Sequence, residues 1–170
     1  MSKRIGVLSD THGFWDEAFE RYFSSCDEIW HAGDIGSAEV ANRLSFIAPL
    51  RAVYGNMDGY EVRYLYPEHL RFNLEGVEVW LTHIGGYPGK YAREVVPTIY
   101  NHPPKLFVCG HSHILKVMND PTLHLLHINP GASGRQGIHQ KRTIILFTLD
   151  NGEIKDLDVV ELGSRSIDGH

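Results

Sequence analysis

The residues that decide the fold are Phe107-Val108-Cys109-Gly110-His111-Ser112-His113. A short apolar run of this kind predicts a buried strand, and Gly110 marks the point where the chain leaves the sheet. His111 and His113 would then lie on a loop at the carboxyl end of the strand, where open α/β sheets bind their ligands. Two histidines alone are weak evidence for a metal site, so the other strand ends must be compared.

The first two thirds of the chain alternate between predicted strands and helices, and the last third is mostly predicted strand. Apolar runs predict strands at 5–8, 28–31, 50–54, 71–74, 77–81, 105–109, 114–118, 123–128, 142–149 and 154–160. Helical spacing predicts helices over 14–22, after a Ser37 cap through 47, and over 91–100, where Pro97 weakens the pattern. Glu75-Gly76 and Asn151-Gly152 are typical hairpin turns. This order indicates an α/β fold.

Length and composition limit the class of protein. A chain of 170 residues predicts a single domain, here 1–163, followed by a loose polar tail at 164–170. The net charge of −5 argues against a stable nucleic-acid complex formed through a broad basic surface. Cys26 and Cys109 lie in or beside apolar stretches and suggest no disulfide framework. With no signal peptide or membrane-length apolar run, we expect a cytoplasmic protein without membrane contact.

Polar motifs begin where five of the predicted strands end. They are Asp10-Thr11-His12, Gly33-Asp34, Gly55-Asn56, Thr82-His83 and Gly110-His111-Ser112-His113. Taken alone, the first four motifs are more typical of a turn, a helix cap or a structural histidine, whereas the Gly110–His113 motif is as consistent with metal binding as with a structural role. Together they provide two carboxylates, one amide oxygen and four imidazoles, which exceeds one ordinary metal site. Two sites that share one bridging carboxylate would use all of these ligands.

In these five motifs the sequence resembles the calcineurin-like metallophosphoesterase superfamily, whose pattern is D-x-H, G-D, G-N, H and G-H-x-H. The short chain and the Gly-Asn-x-Asp motif resemble its small bacterial and archaeal phosphodiesterases. The resemblance implies a four-layer α-β-β-α sandwich of two mixed sheets. It implies a first metal held by Asp10, His12 and His113, and a second held by Asn56, His83 and His111. Asp34 would bridge the two metals.

The resemblance also implies the reaction, which is hydrolysis of small phosphodiesters by a hydroxide shared between two divalent cations. The implied catalytic residues are Asp10, Asp34, Asn56, His83 and Asp58. The two cations would leave the site positive despite its two carboxylates, so it would attract a phosphate anion. Nitrogen and oxygen ligands without thiolate favour Mn²⁺, with Fe, Zn, Ni or Co as alternatives.

Position 57 departs from the family pattern. Many members have a histidine after the asparagine, and that histidine can protonate the leaving group. Met57 cannot supply a proton, although Asp58, the usual partner of such a histidine, is present. Our hypothesis is that leaving-group protonation is weak here, so that aryl or nucleotidyl leaving groups are preferred over alkyl groups.

Several further residues are candidates for supporting roles. His31 is a candidate for orienting a ligand, and the loop 129–133 resembles a family loop that closes one side of the site. In the glycine-rich loop 85–90, Tyr87 and Lys90 are candidates for substrate contact. The remaining histidines are predicted to be surface or loop residues: His69, His102, His124, His127 and His139.

Two alternative functions remain at this point. One is a phosphomonoesterase, such as a small protein phosphatase. The other is a non-enzymatic scaffold resembling the small retromer subunit, which has this fold but a degraded metal site. All seven ligand positions are intact here, which favours the enzyme. The substrate is expected to be a small phosphodiester, and a homo-oligomer is left open.

Overall fold

The computed structural model describes residues 2–165, which form twelve strands and four helices. In chain order these elements are β1 (Ser2–Leu8), α1 (Glu17–Phe23), β2 (Glu28–His31), α2 (Ala38–Ile47), β3 (Leu50–Ala52), α3 (Tyr60–Leu65), β4 (His69–Leu74), β5 (Val77–Thr82), β6 (Gly86–Tyr87), β7 (Lys90–Tyr91), α4 (Thr98–Asn101), β8 (Leu106–Val108), β9 (Lys116–Asp120), β10 (Leu125–Asn129), β11 (Lys141–Asp150) and β12 (Glu153–Ser164).

Within residues 2–165 most strands belong to two five-stranded mixed sheets. The first sheet has the order β12-β11-β1-β2-β3, and β1, β2 and β3 run parallel to one another. The second sheet has the order β4-β5-β8-β10-β9, and β5, β8 and β10 run parallel. Strands β6 and β7 form a separate small hairpin. In each large sheet, the carboxyl ends of three parallel strands therefore lie on the same side.

The alternation of side chains along β1 explains how the sheets pack. Ile5 and Val7 point into a fully buried core that also contains Val79 and Leu81 of the second sheet. Leu8 points the other way, into a core formed with helices α1 and α2. A Cβ at Gly6 would collide with the Phe23 ring of α1, so glycine there allows the helix to pack directly on the strand.

The outer face of the second sheet is covered in the same way. Trp80 and Phe107 pack against Val95 and Ile99, which lie in and before α4. Helices therefore lie outside both sheets, and a separate apolar core lies between the sheets. The predicted four-layer α-β-β-α sandwich is confirmed.

Local sequence signals had mixed outcomes. The Ser37 side chain accepts a hydrogen bond from the Val40 N–H and caps α2 as predicted. The Asn151-Gly152 turn joins β11 to β12, with both residues at positive φ. The helix predicted over 91–100 is wrong, since only Thr98–Asn101 is helical. Pro97 has no backbone N–H to continue a helix through it, and the preceding segment pairs as β7.

The structure differs from the sequence-based expectations at a buried histidine, at a short helix and at the start of the predicted tail. The prediction of His127 as a surface or loop residue is wrong, since it lies in β10 with its ring beside Phe107 and is only 1% exposed. Helix α3 was not predicted, since its six residues follow Gly59 without a side-chain cap. Ser164 ends β12, and the Arg165 N–H donates to the Gln140 oxygen, so the predicted tail does not begin before 166. Residues 166–170 of that tail lie outside the described residues.

In the described part of the chain, no helix has the length and apolarity needed to cross a membrane.

Candidate metal centre

All seven predicted ligands follow parallel strands and meet at one edge of the sandwich. The first sheet contributes Asp10 and His12 after β1, Asp34 after β2 and Asn56 after β3; the second contributes His83 after β5, and His111 and His113 after β8. Backbone hydrogen bonds link neighbouring loops, from Asp10 N to Gly33 O at 2.9 Å and from Gly110 N to His83 O at 3.0 Å. The ligand loops thus form one connected layer.

The backbone of this layer is unusual. Nine non-glycine residues of the described chain have positive φ, and five of them are predicted ligands: Asp10, His12, Asp34, His111 and His113. Positive φ costs an ordinary residue about 1–2 kcal/mol and is most frequent at functional sites. The surrounding loop contacts must therefore hold these residues in place.

One group of ligand atoms surrounds Asp10. Its Oδ1 atom lies 3.3 Å from Nε2 of His113 and 3.9 Å from Nε2 of His12. The ligand atoms of these three residues all lie within 4.8 Å of one another, so one cation could contact all of them. These are the three residues predicted to hold the first metal.

A second group forms around His83. Its Nε2 atom lies 3.2 Å from Oδ2 of Asp34 and 3.8 Å from Oδ1 of Asp10, and these three residues could also hold a cation. Asp34 Oδ2 is in addition 3.6 Å from Nε2 of His12. The Asp34 carboxylate therefore lies between one histidine of each predicted set, as a bridging ligand must. Asp10 is also within reach of both groups.

The remaining two predicted ligands lie beside this second group. The side-chain oxygen of Asn56 is 3.1 Å from Nδ1 of His111, and the His111 ring packs edge-on against His83 with ring centres 5.2 Å apart. The second predicted ligand set, Asn56, His83 and His111, therefore lies side by side next to Asp34.

Unsatisfied polar atoms provide the test of whether this cluster fits cations. Asp10 Oδ1, His12 Nε2 and His83 Nε2 are buried and have no hydrogen-bond partner among the described residues. Each such atom costs about 1–3 kcal/mol unless a ligand contacts it. His83 Nδ1 donates to the Ala32 oxygen at 2.7 Å, which leaves Nε2 with the lone pair that binds a metal. The cluster therefore fits divalent cations.

The charges of the cluster also favour cation binding. Burial raises the pKa of Asp10, but the imidazoles of His113 and His83 outweigh it and keep this pKa below its ordinary value. The pKa of Asp34 is lowered in the same way, with His83 outweighing the effect of burial. Burial lowers the pKa of His83, but the two carboxylates outweigh it and raise this pKa overall. Protons and cations therefore compete for the same atoms.

His31 connects two of the ligand loops. It is fully buried, and burial lowers its pKa to about 4, so the ring is neutral. Its Nδ1 accepts from the Gly33 N–H at 3.1 Å. The Thr11 hydroxyl donates to the Ile35 oxygen, which leaves it to accept from His31 Nε2–H at 3.0 Å. The hydrogen bonds of His31 thus go to Thr11, which lies between Asp10 and His12, and to Gly33, which precedes Asp34.

Asp58 has a similar positioning role. Its side chain is almost fully buried and accepts the N–H groups of Ile35, Gly36 and Gly55 at 2.8–3.1 Å. It therefore ties the loop of Asp34 to the loop of Asn56 and leaves no carboxylate oxygen without a partner. A Cβ at Gly55 would collide with Asp34, so glycine is needed where these two loops meet.

The loop 129–133 supports the histidines that follow β8. Asn129 Nδ2 donates to the Gly110 oxygen at 3.0 Å and to the Ser112 hydroxyl at 3.1 Å. The Ser112 hydroxyl also accepts from the Ile114 N–H. Ser112 therefore anchors the loop that contains His111 and His113.

Two histidines near the cluster were missed by sequence reasoning. His139 packs edge-on against His113 with ring centres 5.2 Å apart. His69 lines a cavity together with Asn56 and His83. Neither residue follows a strand end, so no motif indicated them. Tyr87 and Lys90, by contrast, do not line that cavity, and Tyr87 lies under the Lys116 ammonium at 4.4 Å.

A two-sheet α/β sandwich with Asp and His side chains clustered at its parallel strand ends defines the class of metallophosphoesterases. The chain belongs to the calcineurin-like phosphoesterase superfamily, whose domain model matches residues 4–152. It is 28% identical to a probable metallophosphoesterase of Methanothermobacter thermautotrophicus over 170 residues, covering 94% of this chain and 93% of the relative.

Solved structures show the same fold at low identity. A novel archaeal phosphodiesterase superposes with a TM-score of 0.71 at 20% identity, covering 92% of this chain and 99% of that chain. Wild-type Vps29 from Entamoeba histolytica, solved in complex with Zn²⁺, superposes with a TM-score of 0.66 at 16% identity, covering 93% and 98%.

Proposed function

We propose that this protein is a metal-dependent phosphodiesterase that uses two divalent cations. The observation that supports this most strongly is the convergence of Asp10 Oδ1, His12 Nε2 and His83 Nε2, buried and unpaired, around the Asp34 carboxylate. Membership in the phosphoesterase superfamily supports the hydrolysis of phosphoric esters. The archaeal phosphodiesterase of the same fold supports diesters as the substrate class.

The residues of this chain would divide the work as follows. Asp10, His12 and His113 would hold one cation; Asn56, His83 and His111 would hold the other; Asp34 would bridge them. When bound, the cations supply Lewis acidity, which activates water and neutralises the phosphate oxygens. His83 is fixed by its bond to Ala32 and presents Nε2 in the ligand form. His31 and Asp58 keep the loops of the first sheet in register.

Manganese is the cation we propose, with iron, zinc, nickel or cobalt as alternatives. The ligand atoms brought together are imidazole nitrogens and carboxylate or amide oxygens, and this mixture suits first-row transition metals better than calcium. The nearest thiol, Cys109, is fully buried, and burial raises its pKa to about 12, so it is not a thiolate ligand.

A phosphomonoesterase is less favoured because position 57 offers no proton donor. The Met57 side chain is 63% exposed, and a thioether cannot protonate an alkoxide leaving group. The Met57 backbone has a structural task instead, since its N–H donates to Asp34 Oδ1 at 2.8 Å.

A binding scaffold is the second candidate, because Vps29 proteins are among the proteins of this fold. A Vps29 structure with Zn²⁺ means that metal binding alone does not separate an enzyme from a scaffold. Turnover does separate them.

The test is hydrolysis of bis-p-nitrophenyl phosphate by the purified protein, stripped of metal and then titrated with Mn²⁺. We expect turnover to rise with bound Mn²⁺ and to exceed turnover of p-nitrophenyl phosphate. Stable metal binding without turnover of either ester would favour the scaffold, and faster turnover of the monoester would favour the phosphatase.

A further inference from the structure

A cavity of about 150 Å³ adjoins the proposed second metal position, with Asn56 and His83 in its wall. A cavity of this volume holds a group of about the size of benzene, which has six heavy atoms. A glyceryl group also has about six heavy atoms. The cavity is therefore suited to one small ester group of a diester whose phosphate lies at the metals.

His69 gives the cavity wall a hydrogen-bond donor at Nε2. The indole N–H of Trp80 lies 3.2 Å from Nδ1 of His69, and an indole can only donate. Nδ1 is therefore the acceptor, and the proton of the neutral His69 ring is on Nε2. Both Trp80 and the backbone of β4 hold this ring in position, since His69 pairs with Thr82 of β5. Thr82 immediately precedes His83.

An acceptor lies next to this donor. The Glu68 carboxylate is 3.8 Å from His69 Nε2, which is too long for a hydrogen bond, and both side chains are partly exposed. A hydroxyl group placed between them can accept from His69 and donate to Glu68. A methyl or methylene group in the same place can do neither.

The charged residues of the wall do not favour an anionic group, since Glu68 and Glu94 outnumber Arg63 among them. The Arg63 guanidinium donates to the carbonyl oxygens of Asp58 and Asn56 at 2.7 and 3.2 Å, so much of its donor capacity is already used. The two carboxylates of Glu68 and Glu94 also line the cavity. An uncharged group with hydroxyls matches this wall better than a carboxylate or a second phosphate.

We propose that this cavity is the subsite for one ester group of the substrate, and that His69 and Glu68 select a small uncharged alkyl group with hydroxyls, such as glyceryl. The proposal rests on the phosphodiesterase function proposed above. It adds the substrate class and two specificity residues, neither of which is among the predicted metal ligands.

The experiment compares two diesters with the same leaving group. One is 2,3-dihydroxypropyl p-nitrophenyl phosphate, and the other is propyl p-nitrophenyl phosphate. The p-nitrophenyl leaving group is the same in both diesters, so a difference in kcat/KM between them reports on the varied group. We expect kcat/KM of the Mn²⁺-loaded enzyme to be roughly tenfold higher for the dihydroxypropyl ester, as one hydrogen-bonded hydroxyl would give. A 2-carboxyethyl ester should be hydrolysed more slowly than the propyl ester.

Three variants make the test specific. His69→Phe keeps a ring but removes the donor, and Glu68→Ala removes the acceptor from an exposed side chain; each should bring the ratio to about two or less. His102→Phe makes the same change at an exposed histidine outside the cavity and should keep the wild-type ratio. Thermal unfolding of each variant checks that it is folded.

A binding measurement separates this proposal from the proposed activity. Calorimetric titration with 2,3-dihydroxypropyl methylphosphonate and propyl methylphosphonate should give the same tenfold preference without turnover. If the preference appears in binding while no diester is hydrolysed, the subsite stands and the phosphodiesterase proposal fails. A wild-type ratio near one, or a ratio that neither His69→Phe nor Glu68→Ala changes, would overturn the subsite.

Discussion

Nε2 of His83 lies 3.2 Å from Oδ2 of Asp34, although His83 follows a strand of the second sheet and Asp34 follows a strand of the first. The contact joins the two sheets at their parallel strand ends. Both groups are buried, and the histidine nitrogen has no hydrogen-bond partner among residues 2–165. A cation between the sheets would satisfy both atoms.

Asp34→Asn should lower both metal content and turnover. The amide oxygen can still accept the Met57 N–H, so the loop is retained, but an amide N–H₂ replaces the oxygen that faces His12 and His83. Loss of a residue that only supports the metal ligands typically lowers metal affinity or activity about 10–100-fold. Because Asp34 is itself a proposed ligand of both metals, we expect kcat/KM for bis-p-nitrophenyl phosphate to fall by at least about a hundredfold. Metal analysis and steady-state kinetics measure the two effects.

The matched control for this substitution is Asp156→Asn, on strand β12 of the first sheet and far along the chain from the ligand loops. Asparagine tolerates the positive φ of that position, so the fold should be unaffected. Turnover by Asp34→Asn equal to that of Asp156→Asn would refute the bridging assignment.

Asp58→Asn should weaken metal binding more than it slows the saturated enzyme. The carboxylate accepts three backbone N–H groups, and an amide would place an N–H₂ group against at least one of them. We expect the Mn²⁺ concentration for half-maximal activity to rise about 10–100-fold, while kcat at saturating Mn²⁺ stays within about threefold. A large fall in kcat with unchanged Mn²⁺ affinity would instead support the direct catalytic role expected from the sequence.

Met57→His should change the dependence on the leaving group. Histidine at this position adds a proton donor next to Asn56, and a donor helps poor leaving groups most. We expect kcat/KM to increase roughly 10–100-fold for an alkyl leaving group and only about twofold for p-nitrophenol. Comparable wild-type rates for alkyl and nitrophenyl leaving groups would contradict the hypothesis that leaving-group protonation is weak.

The buried His127 should make the protein less stable in mild acid. Burial, and then the nearby Lys116 charge, lower its pKa to about 4, whereas the unfolded residue titrates near 6.5. Between these values the unfolded state binds more protons, so stability is complete above the unfolded pKa and is lost as the pH falls toward 4. The loss amounts to roughly 3 kcal/mol. Urea unfolding at pH 7.5, 6, 5 and 4 measures it.

A variant comparison assigns that pH dependence to His127. His127→Phe retains the ring that packs near Phe107 but cannot titrate, so its unfolding free energy should decline less between pH 7 and pH 4. His31 is also buried with a lowered pKa and contributes to the pH dependence of both proteins. The difference between their unfolding free energies therefore isolates the contribution of His127. The exposed variant His102→Phe should follow the wild-type curve. Parallel curves for wild type and His127→Phe would show that this histidine is not the cause.

The fold was largely predictable because the parallel strands that precede the ligand motifs are short, mostly buried and followed within a few residues by polar residues or glycine. The residues 28–31 were predicted as a strand with the same bounds as β2, and the Ser37 cap marked the start of α2. The segment 91–100 failed because helical spacing also describes a short hairpin strand followed by turns. Strands β6 and β7 pair as a hairpin, and the apolar spacing along 91–100 does not report this pairing.

The candidate site was predictable only where its residues follow strand ends. The seven proposed ligands belong to motifs, and the structure brings them together from two sheets. The residues that support them were less visible. His69 begins a strand, His139 lies on an irregular loop, and the three backbone bonds of Asp58 depend on how two separate loops meet. The burial of His127 depends on its strand being covered, which the local sequence did not indicate.

The central claim is that two cations bind between the sheets and share Asp34. The most direct measurement is anomalous diffraction from crystals grown with Mn²⁺, recorded on both sides of the manganese absorption edge. We predict two anomalous peaks per chain about 3.5–4 Å apart. One should lie among Asp10, His12 and His113, the other among Asn56, His83 and His111, with Asp34 contacting both. A single peak, or two peaks without a shared Asp34, would contradict the account.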